Sequence, residues 1–217
     1  MPNTTKTLTA VAAVLLLVPL SDAVAQRRRG LVDVSPASER HGFWLSLGLA
    51  AGTDSYKYEN VPGGYDHDLT KPSLWIAAGG TVSPNLRLGG EVNAWINEYR
   101  DSESGYKVTE TLVGGLLTGQ VYPVNRLGLF LKGGLGISRS AAYVSGGDDT
   151  GETGFAYLAG AGYEIRLGRN IFLTPAVNVM FHRSSPGRDA LADPDNLGGL
   201  RERVFTIGVG LTFQPGR

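Results

Sequence analysis

Apolar side chains recur at every second position in eight segments of this chain, and no stretch of the mature part holds a helical period. The segments are approximately 42–52, 73–83, 86–98, 109–122, 127–138, 154–167, 170–182 and 203–213. In the third, Leu86, Leu88, Gly90, Val92, Ala94 and Ile96 lie opposite Arg87, Gly89, Glu91, Asn93, Trp95 and Asn97. In the fifth, Leu129, Leu131, Leu135 and Ile137 lie opposite Phe130, Lys132, Gly134, Gly136 and Ser138. The sixth and eighth divide in the same way, the eighth with Phe205, Ile207, Val209, Leu211 and Phe213 against Thr206, Gly208, Gly210 and Thr212.

Alternation of this kind also suits a soluble barrel, apolar inside and polar outside. The composition of the polar face decides between the two. It is built from glycine and small residues with a few charges, which suits a narrow lumen, whereas a water-facing exterior carries many Lys, Glu and Asp. An apolar exterior around a small polar interior is the transmembrane pattern. The connections agree. Pro84-Asn85, Pro123–Arg126 and Gly168-Arg169 are short, while 53–72, 99–108, 139–153 and 183–202 are long or polar, and the two kinds alternate along the chain. The sequence thus predicts an all-β fold, an eight-stranded antiparallel up-and-down transmembrane β-barrel, with both termini on the periplasmic side.

Composition sharpens this picture. Glycine accounts for 31 of 217 residues, many of them inside the alternating segments, where glycine marks bends or close backbone approach. Phe43 and Phe213 are expected near the periplasmic rim, and Phe155, Tyr157, Phe181 and Phe205 near the outer rim, as two interfacial girdles. Trp44, Trp75 and Trp95 fall on the inward face, for which the pattern supplies no reason.

The N-terminus reads as a processing signal: Lys6, an apolar run from Ala10 to Leu20, and the small-x-small site Ala23-Val24-Ala25. The run falls well short of the roughly 20 residues that span a bilayer as a helix. The expected organisation is a signal peptide over 1–25, a periplasmic N-terminal segment over 26–41 and an outer-membrane barrel over 42–213; the alternative for the first segment is an uncleaved anchor. Cysteine is absent, which excludes disulfides, thiolate metal sites and a lipid anchor on Cys. Twenty basic and twenty acidic residues leave no global field for nucleic acid, and Arg27-Arg28-Arg29 reads as a solvated tail.

The stretches LRLGGEVNAW (86–95), GLFLKGGLGIS (128–138), GFAYLAGAGYEIRLGRNIFLTPAVNVMF (154–181) and FTIGVGLTF (205–213) resemble the outer-membrane β-barrel-domain family of small eight-stranded barrels, of OmpA-transmembrane and OmpW-like architecture. The resemblance implies residence in the outer membrane, contact with its lipids and lipopolysaccharide, and insertion by the barrel-assembly machinery. Phe213 resembles the terminal aromatic of the assembly signal, although Gln-Pro-Gly-Arg follows it. The family's fold does not imply one function.

Candidate chemistry lies in three places. Arg87, Glu91, Lys132, Glu164 and Arg166 all project inward by the period-two count, as a salt-bridged lumen network or as the lining of a narrow pore. The interior of an eight-stranded barrel is about wide enough for side chains to fill, which favours the plug. Second, His182-Arg183-Ser184 with Glu202 resembles the outer-membrane lipid A 3-O-deacylases. That resemblance implies Ser184 as nucleophile, His182 as base and Glu202 as orienting carboxylate. Ser185 and Pro186 depart from the residues that follow the serine in that family, and His182 and Ser184 fall on the lumen side.

Third, the outer loops carry Tyr56, Tyr58, Tyr65, Asp66-His67-Asp68, Asp148-Asp149 and Asp189, Asp193 and Asp195 without calcium-loop spacing. They are where an extracellular ligand is expected. No phosphate-loop, zinc or nucleic-acid motif occurs, so no cofactor, metal or nucleic-acid partner is expected. The reading that follows is a non-enzymatic structural or surface-interaction barrel, with a narrow small-solute channel and a deacylase-like esterase as alternatives.

Overall fold

A strand that is apolar on one face and polar on the other leaves its backbone groups to be satisfied by neighbouring strands, and in lipid only a closed sheet leaves none over. The computed structural model describes residues 40–101, 105–124, 127–145, 150–184 and 198–215, the side chains of 66–69 excepted. The expected signal peptide, Arg27–Arg29, Asp148, Asp149, Asp189, Asp193 and Asp195 lie outside the described residues, as do all but the last two positions of the 26–41 segment. The strands are β1 (Phe43–Tyr58), β2 (Asp66–Ser83), β3 (Leu86–Arg100), β4 (Lys107–Val121), β5 (Leu129–Val144), β6 (Thr150–Tyr163), β7 (Ile165–Arg166), β8 (Ile171–Ser184) and β9 (Leu200–Phe213).

All pairings are antiparallel, in the order β6-β5-β4-β3-β2-β1-β9-β8-β7, and β6 also pairs with β8, which closes the sheet. The two-residue β7 continues β6 beyond a break at Glu164, so nine segments form eight staves. The predicted sixth strand, 154–167, is therefore interrupted. Across the break the Glu164 N–H donates to Gly128 O at 2.9 Å, which keeps the chain tied to the entry of β5.

The loop-end halves of the strands run further than the hydrophobic period indicates. β1 was expected to end near 52 and β2 to begin near 73, yet Gly52↔Lys71, Thr53↔Thr70 and Asp54↔Leu69 are paired, with a register shift before Tyr56↔Asp66. The connection expected over 53–72 shrinks to Glu59–Tyr65. Those expected over 99–108, 139–153 and 183–202 shrink likewise to the residues between β3 and β4, β5 and β6, and β8 and β9. The reason is physical: backbone pairing does not need an apolar face, so the ladder continues where the apolar period of the sequence ends.

The two faces differ as the alternation requires. Leu117 and Leu49 are 79% and 71% exposed, within an outward band that includes Leu47, Leu131, Leu135 and Ile137. So large an apolar belt is covered by lipid rather than water. Phe43 and Phe213 are exposed at the short-turn end; Phe155, Tyr157 and Phe205 are exposed toward the loop end, where Tyr157 stacks on Phe181 at 4.6 Å. Aromatic side chains thus face outward toward both ends of the barrel.

Inside, Trp44, Trp75 and Trp95 are buried, and glycine makes room for each. A Cβ on Gly48 would fall within the Trp75 indole, one on Gly52 would lie 2.8 Å from Trp95, and one on Gly89 would lie 2.8 Å from Trp44. The inward tryptophans and these three glycines thus have one explanation. A narrow lumen accepts a large ring only where the facing wall carries no side chain.

Candidate functional site

From the short-turn end upward, the lumen is filled in layers. The lowest is an ion-paired cluster. Glu164, at the break between β6 and β7, accepts from Arg40 Nε at 3.3 Å and from Arg87 Nη1. Arg87 also donates to the Tyr122 hydroxyl at 2.6 Å and to Gln214 Oε1. Tyr122 lies 3.1 Å from Glu164 and 3.2 Å from Gln120, and the Arg40 guanidinium sits 3.6 Å over its ring. Arg40 donates to Leu127 O at 2.9 Å, and Gln214 to His41 O at 2.9 Å, so residues flanking the first and last strands are drawn into the lumen. Arg40, Arg87 and Tyr122 are each at most 1% exposed.

One layer higher, Lys132 Nζ meets both oxygens of Glu91 at 2.7 and 2.9 Å, and Asn93 Nδ2 donates to Glu91 at 3.0 Å. Above that pair lies an apolar septum of Trp95, Leu112, Leu116, Ala156, Leu158, Met180 and Val204. The Trp95 indole N–H is satisfied by Gly52 O at 2.9 Å. The voids left within these layers are about 10 Å³ each, beside Glu91 and beneath Trp95. Each is about the volume one water needs.

The predicted network is therefore joined at four of its five residues. Arg87 and Glu164 form one cluster, and Glu91 and Lys132 another. Arg166 is the exception. It is half-buried at the short-turn rim with its guanidinium 5.5 Å over Phe172, and it enters neither ion-paired cluster. Its Nε is buried without a hydrogen-bond partner among the described residues. Arg40, Tyr122 and Gln214 were not foreseen. Tyr122 ends the predicted fourth strand, and Arg40 and Gln214 lie just outside the alternating segments, where parity gives no facing.

Above the septum the lumen opens into a cup of about 320 Å³. Asp54, Glu110, Glu152 and Glu202, from β1, β4, β6 and β9, line it together with the rings of Tyr56, Tyr58 and Trp95. No lysine or arginine is among its described lining residues. Glu110 accepts from Asn97 Nδ2 at 2.8 Å and Tyr99 OH at 3.1 Å, and Glu152 accepts from Ser184. The signal for this cup lay in parity carried past the expected strand ends. Counting on from Gly52 places Asp54, Tyr56 and Tyr58 inward, and counting back from Gly154 places Glu152 inward.

The residues of the deacylase resemblance sit beneath and beside the cup, with different partners. His182 and Glu202 are neighbours across β8 and β9, and both are buried. His182 Nδ1, however, lies 2.7 Å from Ser138 Oγ. Ser184 Oγ donates to Glu152 and accepts from the Leu200 N–H at 2.9 Å. Both side chains face the lumen, as parity indicates, and no Ser184–His182 hydrogen bond occurs among the described residues. A nucleophile pairs with its base in that chemistry, and here each member is held by another group. Among the described residues no cluster of His, Asp and Glu converges tightly enough to hold a metal ion.

On the outward surface just beyond the girdle, Glu59 joins two cations. It accepts from Arg183 at 2.9 Å and from Arg201 at 2.8 and 2.6 Å. The hydrogen bond from Arg201, with its charge, holds the Glu59 carboxyl below its ordinary value. Arg203 lies 4.2 Å and Lys57 5.1 Å over the Tyr65 ring.

Residues 10–213 match the family described as outer membrane protein beta-barrel domain. Among solved structures the chain is similar to Ail, the attachment invasion locus protein of Yersinia pestis, crystallised with the heparin analogue sucrose octasulfate. The identity is 12%, the TM-score 0.52, and the match covers 79% of this chain and 99% of that one. It is also similar to Neisserial surface protein A, at 15% identity and TM-score 0.51, over 82% of this chain and 99% of that one. At such identities the likeness speaks for the fold alone. No curated protein matches the sequence.

Proposed function

Because this chain belongs to the outer membrane protein beta-barrel domain family, its place is the outer membrane, and we propose that it is a non-conducting, non-enzymatic barrel whose role is played at its outer mouth. The observation that carries the reading is the filled lumen. Two buried ion-paired layers and an apolar septum separate the periplasmic end from the outer cup. An ion crossing the barrel would have to displace Arg40, Arg87 and Lys132 from their carboxylates, and breaking one such buried pair costs on the order of 3–5 kcal/mol. The partners held by His182 and Ser184 likewise support a structural role for both.

On this reading residues 1–25 direct export and are removed, the 26–41 segment lies in the periplasm up to Arg40, which enters the lumen, and the barrel over 42–213 is inserted by the assembly machinery. Lipopolysaccharide and phospholipid cover its apolar belt. The N-terminal sequence of the mature protein is then expected to begin at Gln26.

Planar-bilayer recording tests the central statement. The wild type should show no discrete conductance. A steady unitary current that changes on Glu91→Ala or Lys132→Ala would establish the channel reading instead. Lipid A from cells producing the wild type or Ser184→Ala should give identical mass spectra, and loss of an acyl chain only with the wild type would establish the esterase.

A further inference from the structure

On the outside of the barrel, the adjoining staves β8, β9 and β1 gather basic side chains directly above the loop-end aromatics. Antiparallel pairing sets Arg183 opposite Arg201 and Arg201 opposite Lys57, so three cations stand side by side across three strands. Arg203 lies one step nearer the apolar belt, opposite Phe181, and Phe205 follows on the same face. Residues directly opposite on one face have Cβ atoms about 4.5–5.5 Å apart, and like charges placed there destabilise the pair. Among the described residues Glu59 is the one carboxylate ion-paired with any of the four.

That carboxylate leaves many donors unused. Its Oε1 accepts from Nη2 of Arg183 and from Nε and Nη2 of Arg201, and neither arginine's Nη1 has an acceptor among the described residues. Arg203 and Lys57 have only the face of Tyr65. Arg183 and Arg203 are exposed, and Arg201 and Lys57 half-buried. A guanidinium offers five N–H donors in a planar fork that matches phosphate oxygens in pairs. The fold thus places like charges in register and neutralises them only in part, which an external anion would complete.

The position selects the kind of anion. Below the row Phe155, Tyr157 and Phe205 are exposed, and the apolar face continues down β9 through Ile207 and Val209. A soluble anion gains nothing from that surface. An amphiphile uses both halves, its phosphate among the cations and its acyl chains on the apolar staves, and aromatic side chains mark the level at which headgroups lie.

We propose that Arg183, Arg201, Arg203 and Lys57 form a binding site for a phosphorylated glycolipid of the outer leaflet. Its phosphate lies on the guanidinium groups and its acyl chains lie against Phe205 and Ile207. This assigns a lipid site to the outer rim and rests on the reading above, in which the loop end is the outer one.

Native mass spectrometry of the folded full barrel released from detergent micelles tests it. The probes are diphosphoryl lipid A, dephosphorylated lipid A and phosphatidylethanolamine, with inorganic phosphate as competitor. One diphosphoryl lipid A per barrel should be retained, about tenfold or more tighter than either other lipid. Arg201→Gln combined with Arg203→Gln should weaken retention about tenfold or more, while Lys107→Gln, an exposed cation on β4, should leave it unchanged. Heat-modifiable gel migration verifies folding, and Arg183→Gln with Lys57→Gln replaces a pair that does not fold. Equal retention of the dephosphorylated lipid, unchanged retention in the folded double variant, an equal loss in Lys107→Gln, or displacement by equimolar inorganic phosphate would each overturn the proposal. The outward loop end is read separately. The chain has no native cysteine, so Val61→Cys should be labelled by a membrane-impermeant maleimide on intact cells. Absence of labelling overturns the reading beneath and this proposal with it, whereas labelling without preference for the phosphorylated lipid overturns only the proposal.

Discussion

At the short-turn end of the lumen, Glu164 meets two arginines and a phenol, whereas at the loop end Glu110 meets an amide and a phenol and Glu152 a hydroxyl. The same barrel therefore handles inward charge in two ways. Below the septum the walls close on the side chains and water is excluded, so each charge needs an opposite charge and further hydrogen bonds. Above it the lumen opens into the cup, where Glu110 and Glu152 are held by an amide and hydroxyls. The lower half suits a fixed plug. The upper half forms an open, acidic cup.

The sharpest way to break this comparison is to remove one carboxylate from each half. Glu164→Gln leaves Arg40 and Arg87 buried without a counter-charge and should cost about 3–5 kcal/mol. The measurement is the temperature at which the compact, heat-modifiable form is lost. Glu110→Gln should move that temperature far less, and equal shifts would mean that the two halves are not distinct. Lys132→Met, which strands Glu91, should cost about 3 kcal/mol, while Glu91→Gln combined with Lys132→Met should recover most of the loss. If the double variant is as unstable as the single, Glu91 and Lys132 do more than neutralise each other.

A smaller effect tests how the tryptophans are accommodated. Gly48→Val places methyls within the Trp75 ring and should cost about 1–3 kcal/mol, with partial recovery when Trp75→Leu is added. Smaller again is the outward pair of Tyr157 and Phe181, whose coupling in a double-mutant cycle to alanine should be about 0.5–1.5 kcal/mol.

The smallest effect concerns Glu59 on the surface. Its carboxyl is held below the ordinary 4.5 by Arg201. Its ion pairs are therefore intact above that value and lost as pH falls through the lowered one. The difference between wild type and Glu59→Gln should vanish in acid, and a difference that grows there would reverse the assignment.

How far the site could be read in advance depends on parity. Arg87, Glu91, Lys132 and Glu164 lie within or beside alternating runs, so counting by two gave their facing, and a narrow lumen then forces contact. The same count put Arg166 inward without revealing that it stacks on Phe172 and pairs with no carboxylate among the described residues. It could not reach Arg40 or Gln214, which enter the lumen from outside the runs. Nor did it mark Asp54 and Glu152, because the alternation ends where the lipid ends although the strands continue. For His182 and Ser184 the inward facing was legible, but their partners Ser138 and Glu152 come from β5 and β6 and depend on register.

The sequence by itself determined the barrel, its number of staves, its lipid face and the facing of most lumen charges. Those follow from a two-residue period and from the need to satisfy every backbone group in a bilayer, both of which are local or general. Only the tertiary structure decided which charges pair, how glycines on one wall receive tryptophans from another, and where the plug ends and the cup begins. Those depend on inter-strand register and on the separation of walls across the lumen, which bring together residues far apart in the chain and leave no mark on the spacing within any one strand.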